Sequence, residues 1–277
     1  MQKQIISLLF ILTLLLSGCL APQIDLDEKT SLLFSQWQEK EGFVPFSSSS
    51  LESKNTEGLN ELTLFIQSEQ EALINFEQSE EVAYYNELLK IHLDFIELKK
   101  LFITIKGEIN SLDFSSSVFC SQTTKLESIN KNLSASKRVI DSMNSKLAII
   151  KKEPELMTKF RLGNDFSFPL IEKQNSIYSN LKNFNEAYCS LDSDLEKATS
   201  KFNNALSNDN LCSQQQELDS FISDIDSIIR KINTSINSLN FLQEVLATEK
   251  TDFSLDSLIE SRDALEIQKS SLSLICQ

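Results

Sequence analysis

Apolar residues recurring at alternating steps of three and four constrain this chain more than any other feature. Phe119, Leu126, Leu133, Ile140 and Leu147 repeat every seven residues, with Ile129, Met143 and Ile150 in a second seam position. Ile177, Leu181, Phe184, Tyr188, Leu191, Leu195, Ala198 and Phe202 form another such series. A third is Leu211, Leu218, Ile225, Ile232, Leu239 and Leu246, interleaved with Phe221, Ile228 and Leu242. Upstream, Tyr84, Leu88, Ile91, Phe95, Leu98, Phe102, Ile105, Ile109 and Leu112 make a fourth. This spacing gathers apolar side chains on one face of a helix, whereas a strand would scatter them over both faces. Sustained over several heptads, it gives seams that pack in coiled-coil fashion. Five glycines in 277 residues leave little for the tight turns of a sandwich or for phosphate-cradling loops. The predicted fold is therefore all-α, an elongated antiparallel helical bundle.

Polar or Gly/Pro-containing stretches at 113–117, 163–169, 207–210 and 250–254 divide the seams. They predict helices near 57–78, 80–113, 118–153, 169–206, 212–248 and 255–276. No Gly or Pro separates the first two, but the seam phase shifts between Glu77 and Glu81, which favours a break there. The chain also repeats itself. Cys120-Ser121-Gln122 followed by Leu126-Glu127-Ser128-Ile129 matches Cys212-Ser213-Gln214 followed by Leu218-Asp219-Ser220-Phe221. Asp165-Phe166-Ser167 likewise matches Asp252-Phe253-Ser254, and Phe166 to Cys189 and Phe253 to Cys276 are both 23 residues. These matches predict a duplicated helical hairpin, with halves near 118–190 and 211–277 and one cysteine pair per copy.

At the N-terminus, Lys3 precedes an apolar run from Ile5 to Leu16. Twelve residues are too few to span a bilayer, which needs about 20, but they suit a signal-peptide core. Leu16-Ser17-Gly18-Cys19 then resembles the lipobox of bacterial and archaeal lipoproteins, a resemblance confined to residues 1 to 19. It implies that residues 1–18 are a signal peptide and that the Cys19 sulfur carries a lipid such as palmitate. The protein would then lie outside the cytoplasm, anchored to the cell membrane, or to the outer membrane where there are two. Residues 19–56, with Pro22, Gly42, Pro45 and the run Ser47 to Ser50, read as a tether. Within it, Lys29 to Lys40 suggests a short amphipathic helix that either packs on the domain or lies in the membrane surface. The helical domain itself is expected over 57–277.

Without residues 1–18 the chain has 25 basic and 40 acidic residues, a net charge of −15. Such a surface repels phosphate backbones, so nucleic acid is excluded as a partner. Membrane attachment would rest on the acyl chains at Cys19, and the expected partner is an envelope protein.

Four cysteines remain: Cys120, Cys189, Cys212 and Cys276. Outside the cytoplasm these read as disulfides, and with a single histidine and no CxxC spacing no metal site is expected. Two pairings stay open. Height counting along straight antiparallel helices favours Cys120–Cys212 with Cys189–Cys276. The duplication favours Cys120–Cys189 with Cys212–Cys276, provided the connector absorbs an offset of roughly 20 Å.

Catalytic signals are missing from the sequence. His92 falls one residue after seam position Ile91 and reads as a flanking core or surface residue. The carboxylates stud polar helix faces, and no EF-hand loop, P-loop or GxSxG occurs. No cofactor is implied. Phe46, Phe160, Phe166, Phe168 and Phe253 fall in or near loops, where they would plug the bundle ends. Alternatively Phe166, Phe168 and Phe253 would line a ligand pocket. The expected function is a non-enzymatic envelope scaffold or interaction module; the alternative is a ligand- or polymer-binding lipoprotein with its pocket at a bundle end.

Overall fold

The computed structural model describes residues 23–46, 50–51, 56–206, 215–246 and 254–275. Among the described residues the chain is all-α, with ten helices and no strand. They are α1 (Leu26–Glu41), α2 (Thr56–Ala72), α3 (Glu80–Asn110), α4 (Ser116–Phe119), α5 (Thr123–Ile150), α6 (Pro154–Lys159), α7 (Pro169–Tyr188), α8 (Leu191–Leu206), α9 (Gln215–Leu246) and α10 (Leu255–Ile275). No described helix is long and apolar enough to cross a membrane. The chain divides into two compact units, residues 1–105 with 132–171, and 106–131 with 172–277. The unit boundaries cut through the first repeat-like half and leave the second inside one unit.

The first unit begins with a helix in the stretch expected to be a tether. The Asp25 carboxylate accepts the backbone N–H of Asp27 at 3.0 Å and of Glu28 at 3.1 Å, capping α1. Gly42 ends it at φ 75°, donating its N–H to the Gln38 carbonyl. Such caps are each worth about 1 kcal/mol. Between them Leu26, Thr30, Leu33, Phe34 and Trp37 are buried. α1 is thus a core element, packed on the domain, and the boundary expected at residue 57 moves upstream of residue 26. Its approach to α2 depends on Gly58, where a Cβ would lie 2.8 Å from the Lys40 carbonyl oxygen and 2.9 Å from Glu41 Oε1.

The expected break before α3 is present. A 3₁₀ turn over Leu73–Asn75 follows α2, Phe76 turns extended, and the Ser79 hydroxyl accepts from Val82 N at 3.3 Å. Within α5, Leu126, Ile129, Leu133, Met143, Leu147 and Ile150 are buried as the seam requires. Ile140 is half-buried, and Val139 and Ser136 turn inward instead. A straight helix at 3.6 residues per turn drifts off a strict period of seven, which accounts for the shift.

In the second unit Phe114, Phe119, Phe184 and Tyr188 form a ladder of rings with centroids 5.3 to 5.6 Å apart. Ile225, Ile228, Ile232, Leu239 and Leu242 of α9 are buried where α8 and α10 pack against that helix. Leu195, expected in the seam, is 38% exposed on α8.

Two side chains act as two-bond backbone clamps. Gln122 accepts from Asp113 N at 3.1 Å and donates to Asp113 O at 2.7 Å. Asn144 accepts from Phe166 N at 2.8 Å and donates to Phe166 O at 3.2 Å. Cys120 is bonded to Cys189, with Cα atoms 5.5 Å apart, so the Cys120–Cys212 pairing favoured by height counting is wrong. That count took 118–153 and 169–206 as unbroken helices. Instead α4 ends at Phe119, α7 ends at Tyr188, and the connector folds back through α6 until Phe166 meets Asn144. Asn144 is 24 residues after Cys120 and Phe166 is 23 before Cys189, so nearly equal lengths of chain separate clamp and bridge. Cys212 and Cys276 lie outside the described residues.

Changing Asn144 to Ala removes both clamp bonds. Urea denaturation should show a loss of about 1–2 kcal/mol, while the same change at exposed Asn130 should leave the midpoint nearly unmoved.

Candidate functional site

The first unit contains a ladder of polar side chains that the hydropathy pattern does not announce. Tyr85, His92 and Lys99 are seven residues apart on α3, and all three are fully buried. α3 is covered on almost every side in this unit, since Ile91, Leu98, Phe95 and Leu89 are buried as well. A helix enclosed this way needs a second inward stripe beyond its apolar seam. The second stripe is Tyr85-His92-Lys99, and α1 runs alongside it.

On the first rung, the Tyr85 hydroxyl donates to the Lys29 carbonyl at 3.3 Å and lies 3.5 Å from Glu69, which pairs with Lys29 Nζ at 2.8 Å. Burial and the Glu69 carboxylate push the phenol well above its ordinary range. On the second rung, His92 is enclosed by Phe46, Trp37 and Phe34, with ring centroids at 4.6, 5.7 and 6.0 Å. Neither of its nitrogens has a hydrogen-bond partner among the described residues, nor does Trp37 Nε1. Burial alone lowers its pKa to about 3, so the imidazole is neutral.

The third rung is an ion pair inside the protein. Lys99 Nζ lies 3.1 Å from Glu41 Oε2, with both side chains fully enclosed. It also donates to the Ser50 carbonyl and sits 4.1 Å from the centroid of the Phe43 ring. Burial pulls the Lys99 ammonium below its usual range, and Glu41 opposes that shift. The rungs are met in order by Lys29, by Phe34 and Trp37, and by Glu41, so α1 and α3 run parallel. Sliding α1 by one turn would leave Lys99 unpaired in the interior. Buried polar groups of this kind set register more than they add stability.

The residues expected to form sites fall in different places. Phe166 and Phe168 are buried in the first unit's core at 5% and 2% exposure. Phe166 packs 5.2 Å from Phe46, and Phe168 packs 5.8 Å from Phe95. Both are packed core side chains, as Phe160 is at 0% exposure. Phe253 and Cys19 lie outside the described residues. Among the described residues no three potential metal ligands are grouped. Of the two readings open to His92, core or surface, it takes the core. The period of seven in Tyr85-His92-Lys99 was the available signal, and it was obscured by the adjoining seam through Ile91 and Leu98.

In comparisons with known protein families, curated proteins and solved structures, the chain matches none.

The ladder gives two expected outcomes. In the unfolded chain His92 takes a proton below about pH 6.5, whereas in the folded protein it stays neutral down to about pH 3. The unfolded state therefore binds more protons in that window, and stability falls on acidification at up to about 1.4 kcal/mol per pH unit. Measured between pH 6 and 5, that slope should disappear in His92→Phe. For the third rung, Glu41→Gln should cost about 3–5 kcal/mol by leaving a buried ammonium unpaired. The double change Glu41→Gln with Lys99→Met should cost less than Glu41→Gln alone in a urea-unfolding cycle.

Proposed function

We propose that the protein is a lipid-anchored extracytoplasmic lipoprotein whose helical units serve as a non-enzymatic scaffold for another envelope protein. The observation that carries the reading is Leu16-Ser17-Gly18-Cys19 at the end of a twelve-residue apolar run. A stapled fold supports the compartment: Cys120 and Cys189 are joined, as suits an oxidising environment, and the repeat assigns Cys212 to Cys276 as a second bridge. The interaction role is supported by where the reactive groups lie. His92, Lys99 and Tyr85 are shut inside the first unit, which leaves helix faces rich in carboxylate as the surface offered to partners. That surface favours a partner with basic or polar contact residues.

The anchor is tested by growing cells with labelled palmitate. The wild-type protein should take up label and sediment with membranes, and Cys19→Ser should do neither. Cross-linking in intact cells followed by mass spectrometry should then recover one envelope protein in stoichiometric amount. Recovery of the protein alone would sink the scaffold role while leaving the anchor intact. Peptide mapping without reduction should yield Cys120–Cys189 and Cys212–Cys276 linked peptides.

A further inference from the structure

Two anomalies of the first unit meet at one place. Phe46 lies at φ 73°, left-handed backbone that a bulky residue enters only under strain. It follows Pro45 in a turn, at a position that ordinarily takes glycine or asparagine. Its ring nevertheless packs 4.6 Å from His92, 5.1 Å from Phe95 and 5.2 Å from Phe166. Phe46 is half-buried, whereas His92 and Phe95 against it, and Trp37 behind them, are fully buried. A strained, partly exposed ring therefore covers an aromatic box.

The second anomaly lies inside the box. Trp37 Nε1 and both nitrogens of His92 have no hydrogen-bond partner among the described residues, although their rings are only 5.7 Å apart. Buried polar groups are ordinarily paired, and an unpaired set gathered at one point calls for an explanation. Taking the Phe46 ring away would leave a slot the size of one ring. Its walls would be His92, Phe95 and Phe166, with the Trp37 ring behind them at 5.7 Å from both His92 and Phe95.

We propose that this box is a gated binding site for a small uncharged one-ring aromatic bearing a hydroxyl, a phenol-like molecule that takes the place of the Phe46 ring. The site does not rest on the scaffold reading. Its chemistry selects such a ligand in three ways. The Trp37 N–H donates to the phenol oxygen, and the phenol O–H donates to the unprotonated nitrogen of His92, so two of the unpaired groups are satisfied at once. The aromatic walls match an aromatic face and edge. A charged ligand is excluded because the nearest ion pair, Lys99–Glu41, is already self-compensated, and Arg161 lies outside the box against Phe34, 4.8 Å from its centroid.

His92 and Trp37 are the chain's single histidine and single tryptophan, so their ring N–H resonances need no assignment by mutation. The experiment titrates the ¹⁵N-labelled full chain with phenol and, separately, with toluene, which has the same shape without the hydroxyl. Phenol should shift both resonances saturably, and toluene should bind about tenfold more weakly, the discrimination expected of one or two net hydrogen bonds. Phe46→Ala should bind phenol about tenfold more tightly than the wild type. Adding His92→Phe to that variant should remove the preference for phenol over toluene. No saturable response of the wild type to phenol would overturn the proposal. So would equal binding of toluene, which would reduce the box to an unselective apolar space. If Phe46→Ala does not fold, the wild-type pair of titrations decides the matter alone.

Discussion

The enclosure of α3 is the constraint from which the rest of the first unit follows. A helix covered on nearly every side cannot present its polar residues to water, so Tyr85, His92 and Lys99 must each be accommodated inside. The three solutions differ. Tyr85 reaches the Lys29 carbonyl, Lys99 takes Glu41 and the Ser50 carbonyl, and His92 stays neutral among rings. Each solution draws on α1 or the residues just after it. The aromatic burial of Trp37 and Phe34 supplies the attraction between the helices, at about 25 cal/mol per Å² of apolar surface. The polar rungs add little to that sum and make every other register worse.

Register in the rest of the chain is held by a different device, a carboxamide that grips both polar groups of one backbone residue. Gln122 holds Asp113, and Asn144 holds Phe166. Each satisfies a donor and an acceptor in an irregular segment that has no ladder of its own, which is where backbone groups most need partners. The Asn144 clamp sets where α7 starts relative to α5, and the Cys120–Cys189 bond closes the far end of the same stretch.

Local periodicity made the helices legible, because burial of one face imposes a period that survives in any context. The seams through Leu126 and Ile225 and the break before Glu80 were all readable in this way. Caps were equally local: Asp25 and Gly42 mark the ends of α1, but the surrounding Pro and Ser residues give that segment the composition of a tether. The polar ladder was hidden for a different reason. Hydropathy assigns His and Lys to the surface one residue at a time, and their burial depends on partners such as Trp37 and Glu41 that lie some 55 residues away in sequence. The disulfide was half legible. The repeat named Cys120–Cys189, while the fold-back of residues 151–168 that makes it possible depends on the Asn144 clamp, which no spacing rule announces. The candidate box was legible only as a surplus of phenylalanine near loops.

Incorporating α1 into the core changes what a lipid at Cys19 would do. Read as a tether, residues 19–56 would let the domain range far from the bilayer. With α1 capped at Asp25, five residues separate the proposed anchor from the cap, a reach of at most about 20 Å when fully extended. The first unit would then be confined near the headgroups, and its acidic faces would be repelled by anionic lipid over a Debye length of about 8 Å at physiological salt. A short anchor that pulls in and a surface charge that pushes out together limit the orientations open to the unit. Under the proposed anchoring, an envelope partner would have to present its contact face close to the membrane surface, where a helix ladder held at fixed register would meet it without a search.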